Sequence, residues 1–239
     1  MGFNNRLLIP PTSAPVNPNL KMFLDANDTN SYNGTGTTWF DLTSNANNGA
    51  ISSTAFSSGT SPKYFDFNGF SSHVNIASSS TSPFNTTSRQ FTLSIWFNKD
   101  SNSFSPLMAK YGTTNASRSW YLSSDGNNKL SMLWWSGTTS QYQLSSNAVF
   151  PSTGVWYNAV FAVGSSINSM YVNGVLTDAI SGALSLVTGN NEPIVIGSQA
   201  GGQYNFLNGQ IGQAKIYDDT LTAAQVLADF NANKATYGL

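Results

Sequence analysis

The chain has 239 residues, of which 40% are hydrophobic and 13% aromatic, enough for a substantial core, yet only 9% are charged. A formal net charge of −1 gives no basic field to gather nucleic acid, and the absence of cysteine excludes disulfides and thiolate metal sites. No stretch approaches the roughly 18 apolar residues of a membrane span, and the opening MGFNNRLLIPP does not read as a secretory signal.

Residues 1–19 read as an extended arm. Pro10, Pro11, Pro15 and Pro18 forbid a helix and favour a polyproline-like chain. Phe3, Leu7, Leu8 and Ile9 give the arm an apolar tip, with Arg6 among them. Such an arm is expected to dock, and the partner-binding candidates are Phe3, Arg6, Leu7, Leu8, Ile9, Pro10 and Pro11.

Residues 20–239 read as one body of strands and turns. Strands are expected at 21–25, 64–67, 73–77, 119–123, 193–197 and 209–217. The stretch TTWFDLTSNANNGAI (37–51) is expected to be a turn joining two strands, with Trp39 and Phe40 as anchors on either face. FTLSIWFN alternates Phe91, Leu93, Ile95 and Phe97 with Thr92, Ser94, Trp96 and Asn98, the period of two of a strand. KLSMLWWS sends Leu130, Met132 and Trp134 one way and Ser131, Leu133 and Trp135 the other. One of the two tryptophans is therefore expected to show some surface. WYNAVFAVG (156–164) is apolar on both faces, as a central strand is. Asn173-Gly174 between apolar runs marks a type I′ hairpin, whose two central residues need positive φ. At the C-terminus Thr222 and Gln225 form a capping box for a short helix, expected to be under three turns and to seal one edge of a sandwich. Many short strands with one terminal helix indicate an all-β, antiparallel β-sandwich or jelly roll.

Side chains that could carry function are few. His73 is the sole histidine and has no nucleophile elbow near it, so no Ser/His/Asp triad is expected. Glu192 is the sole glutamate and precedes Pro193 at a strand start. Exposed aromatic rings stack on sugar faces and also anchor interfaces. Trp96, Trp135, Tyr142 and Tyr204 are the sugar-binding candidates, with packing in the core or at a protein interface as the alternatives for such rings.

Several segments, in order, resemble the laminin-G-like, concanavalin A-like jelly rolls: LKMFLDANDTNSYNGTGTTWFDLTSNANNGAI, YFDFNGFSSHVNI, FTLSIWFNKD, WYNAVFAVGSSINSMYVNGVLTD, and the closing run from PIVIGSQAGGQYNF to the end. The resemblance implies a concanavalin A-like sandwich over residues 20–239. Asn68 and Ser72-His73 stand where the family often carries Asp and Asp-Tyr. The hydrolases of this fold carry acids two residues apart on one strand, a pattern that does not occur here, so no enzyme is expected. The opening and closing segments resemble the variety found in virion structural proteins of tailed phages. That implies a non-enzymatic capsid decoration or cement protein of a bacteriophage virion, a homo-oligomer whose arm binds the major capsid protein or other virion subunits. The alternative is a carbohydrate-binding module of a tail fibre or capsid appendage that attaches to host-surface glycans. No cofactor is required by this reading; laminin-G-like domains often hold calcium, so Asp41 is expected either to cap its turn or, with Asp25 and carbonyls from the 45–49 loop, to hold one structural calcium.

Overall fold

In the computed structural model the described residues are 17–59, 61–77, 90–135, 141–149 (backbone only at 141–142 and 146–149), 152–184 and 190–239. In chain order the strands are β1 (Leu20–Asp25), β2 (Thr38–Trp39), β3 (Gly49–Ser52), β4 (Ala55–Phe56), β5 (Phe65–Asn68), β6 (His73–Ile76), β7 (Phe91–Lys99), β8 (Ser105–Tyr111) and β9 (Arg118–Ser124). They continue with β10 (Lys129–Trp135), β11 (Gln141–Val149), β12 (Trp156–Val163), β13 (Ile167–Val172), β14 (Val175–Ser181), β15 (Ile194–Ile196), β16 (Ser198–Gln199), β17 (Tyr204–Phe206) and β18 (Asn208–Tyr217). One α-helix, α1 (Ala223–Asn233), follows.

Among the described residues the strands form two eight-stranded antiparallel sheets. Sheet A runs β14-β13-β12-β7-β18-β5-β4, with β1 also beside β18; sheet B runs β11-β10-β9-β8-β15-β6-β3-β2. The hairpin β16–β17 stands apart from both. This is the all-β, concanavalin A-like antiparallel sandwich with one short C-terminal helix that the sequence implies.

The alternation in the strands builds the core. Leu93, Ile95 and Phe97 from β7 meet Leu130, Met132 and Trp134 from β10, with Trp39, Phe65, Phe67 and Phe161 between the sheets. β12 is apolar on both faces because Tyr157, Ala159, Phe161 and Val163 enter this core, while Val160 and Ala162 join a second cluster outside sheet A with Tyr171, Leu221 and Val226. The β13–β14 hairpin turns at Asn173 (φ 50°) and Gly174 (φ 76°), a type I′ geometry.

The helix departs from expectation in place and length. It spans 11 residues, about three turns, and lies over the outer face of sheet A rather than along an edge. Its capping box forms: the Gln225 backbone N–H donates to Thr222 Oγ1 (3.3 Å) and the Thr222 N–H to Gln225 Oε1 (2.8 Å). Sheet A and the C-terminal segment are laced by polar contacts: Gln213 bridges Asp25 and Asn233, and Lys215 pairs with Asp229.

Candidate functional site

The outer face of sheet B carries an aromatic cluster. Trp134 and Trp120 point into the core, so Trp135 and Tyr121 point out. Tyr111, Tyr121 and Trp135 meet edge to face or tilted, with ring centroids 5.0–5.7 Å apart, the electrostatically favoured aromatic geometry. Burial raises the pKa of the Tyr121 hydroxyl to about 12, and that of Tyr111 also rises.

A register shift aims Arg118 at this cluster. Lys110 pairs with Trp120, so a regular ladder would pair Tyr111 with Ser119; instead Tyr111 pairs with Arg118. A bulge of this kind re-aims one side chain. The Arg118 guanidinium carbon sits 5.0 Å from the Tyr111 ring centroid and 6.0 Å from that of Trp135, within cation–π range. Arg118 Nη1 donates to Asn115 Oδ1 at 2.6 Å.

Beside the cluster lies a cleft of about 340 Å³, lined by Tyr111, Thr113, Arg118, Gln199, Tyr204 and Asn205. Its far wall is the β16–β17 hairpin. There Ala200 (φ 49°), Gly201 (67°), Gly202 (86°) and Asn205 (47°) are left-handed, a conformation that costs Ala about 1–2 kcal/mol and Gly little. A Cβ on Gly202 would lie 2.5 Å from the His73 ring, so His73 is the bed of this loop and Gly202 lets it approach. Asn205 Nδ2 donates to Gln199 Oε1 (2.8 Å), and Gln199 hydrogen-bonds the Tyr121 hydroxyl. The hairpin is thus tied to the aromatic cluster, leaving Tyr204 54% exposed at the rim.

Each expected site residue now has a place. Trp135 (4% exposed) and Tyr204 come to the same end of sheet B, Trp135 within the aromatic cluster and Tyr204 at the rim of the cleft. Trp96 cannot be a sugar platform: it is 0% exposed, stacked on Tyr237 (4.2 Å) and Phe230 (5.6 Å) of the C-terminal segment. Neither tryptophan of the Trp134-Trp135 pair shows appreciable surface, because Tyr111, Tyr121 and Arg118 pack on the outward one. The side chain of Tyr142 lies outside the described residues, as do Phe3, Arg6, Leu7, Leu8, Ile9, Pro10 and Pro11. Thr113, Arg118, Gln199 and Asn205 were not anticipated. The signals that could have found them are the Gly201-Gly202 pair after a strand and an arginine in a chain holding only three.

The expected calcium ligands are committed elsewhere. Asp41 Oδ1 accepts from the N–H groups of Phe23 (2.9 Å) and Thr43 (3.0 Å), and Oδ2 from Thr43 Oγ1 (2.7 Å) and the Asn47 N–H (2.9 Å). Asp25 accepts from Asn27 and Gln213. These donors take all four lone pairs of Asp41 and three of the four of Asp25, and no group of three or more acidic or histidine side chains suited to a metal occurs among the described residues. The residues present do not fit a calcium; Asp41 clamps the turn. Trp39 anchors that turn in the core, but its expected counterpart Phe40 is 51% exposed.

A second cleft, about 300 Å³, opens on the outer face of sheet A beside Phe56, Tyr64, Asp66, Asp100 and Gln210. Gln210 Nε2 donates to Asp66 Oδ1 (2.9 Å) and Asp100 Oδ2 (2.8 Å), holding the carboxylate of β5 and that of the residue just past β7 on one amide.

A family model described as the concanavalin A-like lectin/glucanases superfamily, laminin G type, matches residues 67–227. No curated protein matches the sequence. Among solved structures the chain is similar to domain 4 of an extracellular arabinanase from Geobacillus stearothermophilus in complex with arabinotriose, at 21% identity and TM-score 0.66, covering 88% of this chain and 97% of that one. It is similar at 16% identity and TM-score 0.66 to the binding domain of botulinum neurotoxin serotype D/C, covering 90% of this chain but 52% of that one, about half its length. A Trypanosoma rangeli sialidase gives 16% identity and TM-score 0.66, over 95% of this chain and 36% of that one. At these identities the likeness is one of fold.

Proposed function

Because the chain belongs to the concanavalin A-like lectin/glucanases superfamily, we propose that it is a non-enzymatic carbohydrate-binding domain whose site is the cleft between the β8–β9 end of sheet B and the β16–β17 hairpin. The observation that carries this reading is Tyr204 standing exposed over a small cleft whose other walls are amides, a hydroxyl and a guanidinium on an aromatic bed. A sugar presents an apolar face and a rim of hydroxyls. Tyr204 offers the matching ring, and Thr113, Asn205 and Arg118 offer polar groups around it. Gln199 holds Asn205 in place, so part of the site is set before a ligand arrives. The arabinanase domain with arabinotriose supports the reading as a glycan binder of the same fold. The capsid-docking reading rests on the 1–19 arm and gains no support from the cleft.

A glycan array of neutral and acidic oligosaccharides tests this. Binding that Tyr204→Ala weakens about tenfold, roughly 1.4 kcal/mol, is the expected result. A silent array, or binding indifferent to Tyr204, would overturn the assignment.

A further inference from the structure

We propose that the ligand of this cleft is an acidic sugar whose carboxylate docks on Arg118. The inference rests on the carbohydrate reading and adds the charge of the ligand to it.

Arg118 is the only arginine among the described residues, since Arg6 and Arg89 lie outside them. It is half-buried, and no carboxylate pairs with it among those residues, where the ion pair formed is Lys215–Asp229 on the other sheet. None of the six residues lining the cleft is acidic. A guanidinium presents five N–H donors, and in this structure Arg118 makes one protein hydrogen bond, to Asn115, while its Nε is buried without an acceptor. A partly desolvated cation without a counter-charge is costly, and an arriving anion relieves that cost.

Geometry narrows the anion further. Packing against Tyr111 and Trp135 and the bond to Asn115 fix the plane of the guanidinium, so its remaining N–H groups have a set direction. A carboxylate accepts two parallel N–H bonds from such a fork, whereas a hydroxyl accepts one. The Glu192 carboxylate lies against Gly112, between the cleft-lining Tyr111 and Thr113, but is not itself among the six residues that line the cleft.

The test is calorimetry on the full chain with paired probes of one shape and two charges. Trigalacturonate is compared with its methyl ester, and sialyllactose with lactose, at low salt and at 0.15 M. The expected result is at least tenfold tighter binding of one acidic member over its neutral partner, with the margin shrinking as salt rises. Which pair shows the margin distinguishes a uronic from a sialic acid. Arg118→Gln should bring the acidic probe down to the level of its neutral partner, and the methyl ester gives the same comparison without a variant. Equal affinities within both pairs, or a preference that survives Arg118→Gln, overturn the inference while leaving the carbohydrate reading standing. Binding by none of the four probes overturns the acidic-sugar inference, while the array still decides whether the cleft takes a sugar at all.

Discussion

Trp96 on β7 and Trp135 on β10 both point away from the core, each from a strand inside its sheet, and each stands among other aromatic rings. The two outer faces treat them differently. Over Trp96 the chain lays its own cover, Phe230 from α1 and Tyr237 just after it, and Tyr237 meets Trp156 as well. Over Trp135 the cover is thinner: two tyrosines, a guanidinium, and then a cleft with Tyr204 at its rim. An outward aromatic cluster on a sheet must lose water to something. On sheet A a helix serves; on sheet B the cleft leaves room for a ligand.

The contrast can be broken most strongly from the sheet A side. Trp96→Ala should lower unfolding free energy by about 3–5 kcal/mol, and urea titration would read it. A loss below about 1 kcal/mol would mean that the C-terminal cover contributes little. On sheet B, Gly202→Ala brings a Cβ within 2.5 Å of the His73 ring at a φ of 86°. The expected cost is about 1–3 kcal/mol, together with weaker sugar binding because the hairpin wall shifts; a variant that keeps both stability and affinity would show that the loop does not need this approach. Tyr204→Ala should cost about tenfold in affinity and, as a surface change, stay within ~0.5 kcal/mol in stability, the reverse of the Trp96 pattern.

The smallest effect is a pH dependence. Lys110 is buried, with its ammonium on the carbonyls of Asn190 (3.2 Å) and Glu192 (2.7 Å), and burial lowers its pKa to about 8 from the usual 10.5. Between those values the unfolded chain holds the extra proton, so stability should rise as pH climbs from about 8 toward 10. Tyr121, raised from 10.0 to about 12, acts oppositely: above pH 10 the unfolded chain loses its proton first and stability falls. A maximum near pH 10 in thermal melts, with the rising limb reduced in Lys110→Met, is the expected profile; an unchanged limb in that variant would remove Lys110 as its cause.

Much of the sandwich was legible because its signals are local. Period-two alternation in β7 and β10, the Asn173-Gly174 pair and the Thr222/Gln225 box each specify structure within a few residues. β8 was not anticipated, because Pro106 and Lys110 interrupt its apolar pattern; both are buried, and the Lys110 ammonium rests on two backbone carbonyls. The cleft was legible only at Tyr204 and Trp135. Thr113 and Arg118 come from one turn and Gln199 and Asn205 from another some 80 residues later, and no short-range pattern joins them. Trp96 misled for the same reason: nothing near it in sequence says that a helix more than a hundred residues on will lie over it.

The placement of β18 bears on how the chain reaches this state. Residues 208–217 lie in the interior of sheet A, laddered to β7 on one side and to β5 and β1 on the other. The first strand therefore has no partner until nearly the last has been synthesised, and Asn19 finally bonds Asp219 across 200 positions. Closing loops of that length precedes any reward from the contacts, so folding should be slow, in the millisecond-to-second range or beyond. A nascent chain stopped before residue 208 would leave β1 unpaired and β5 and β7 each with an open edge, which makes the synthesis of β18, rather than any early hairpin, the moment at which the two halves of sheet A can join.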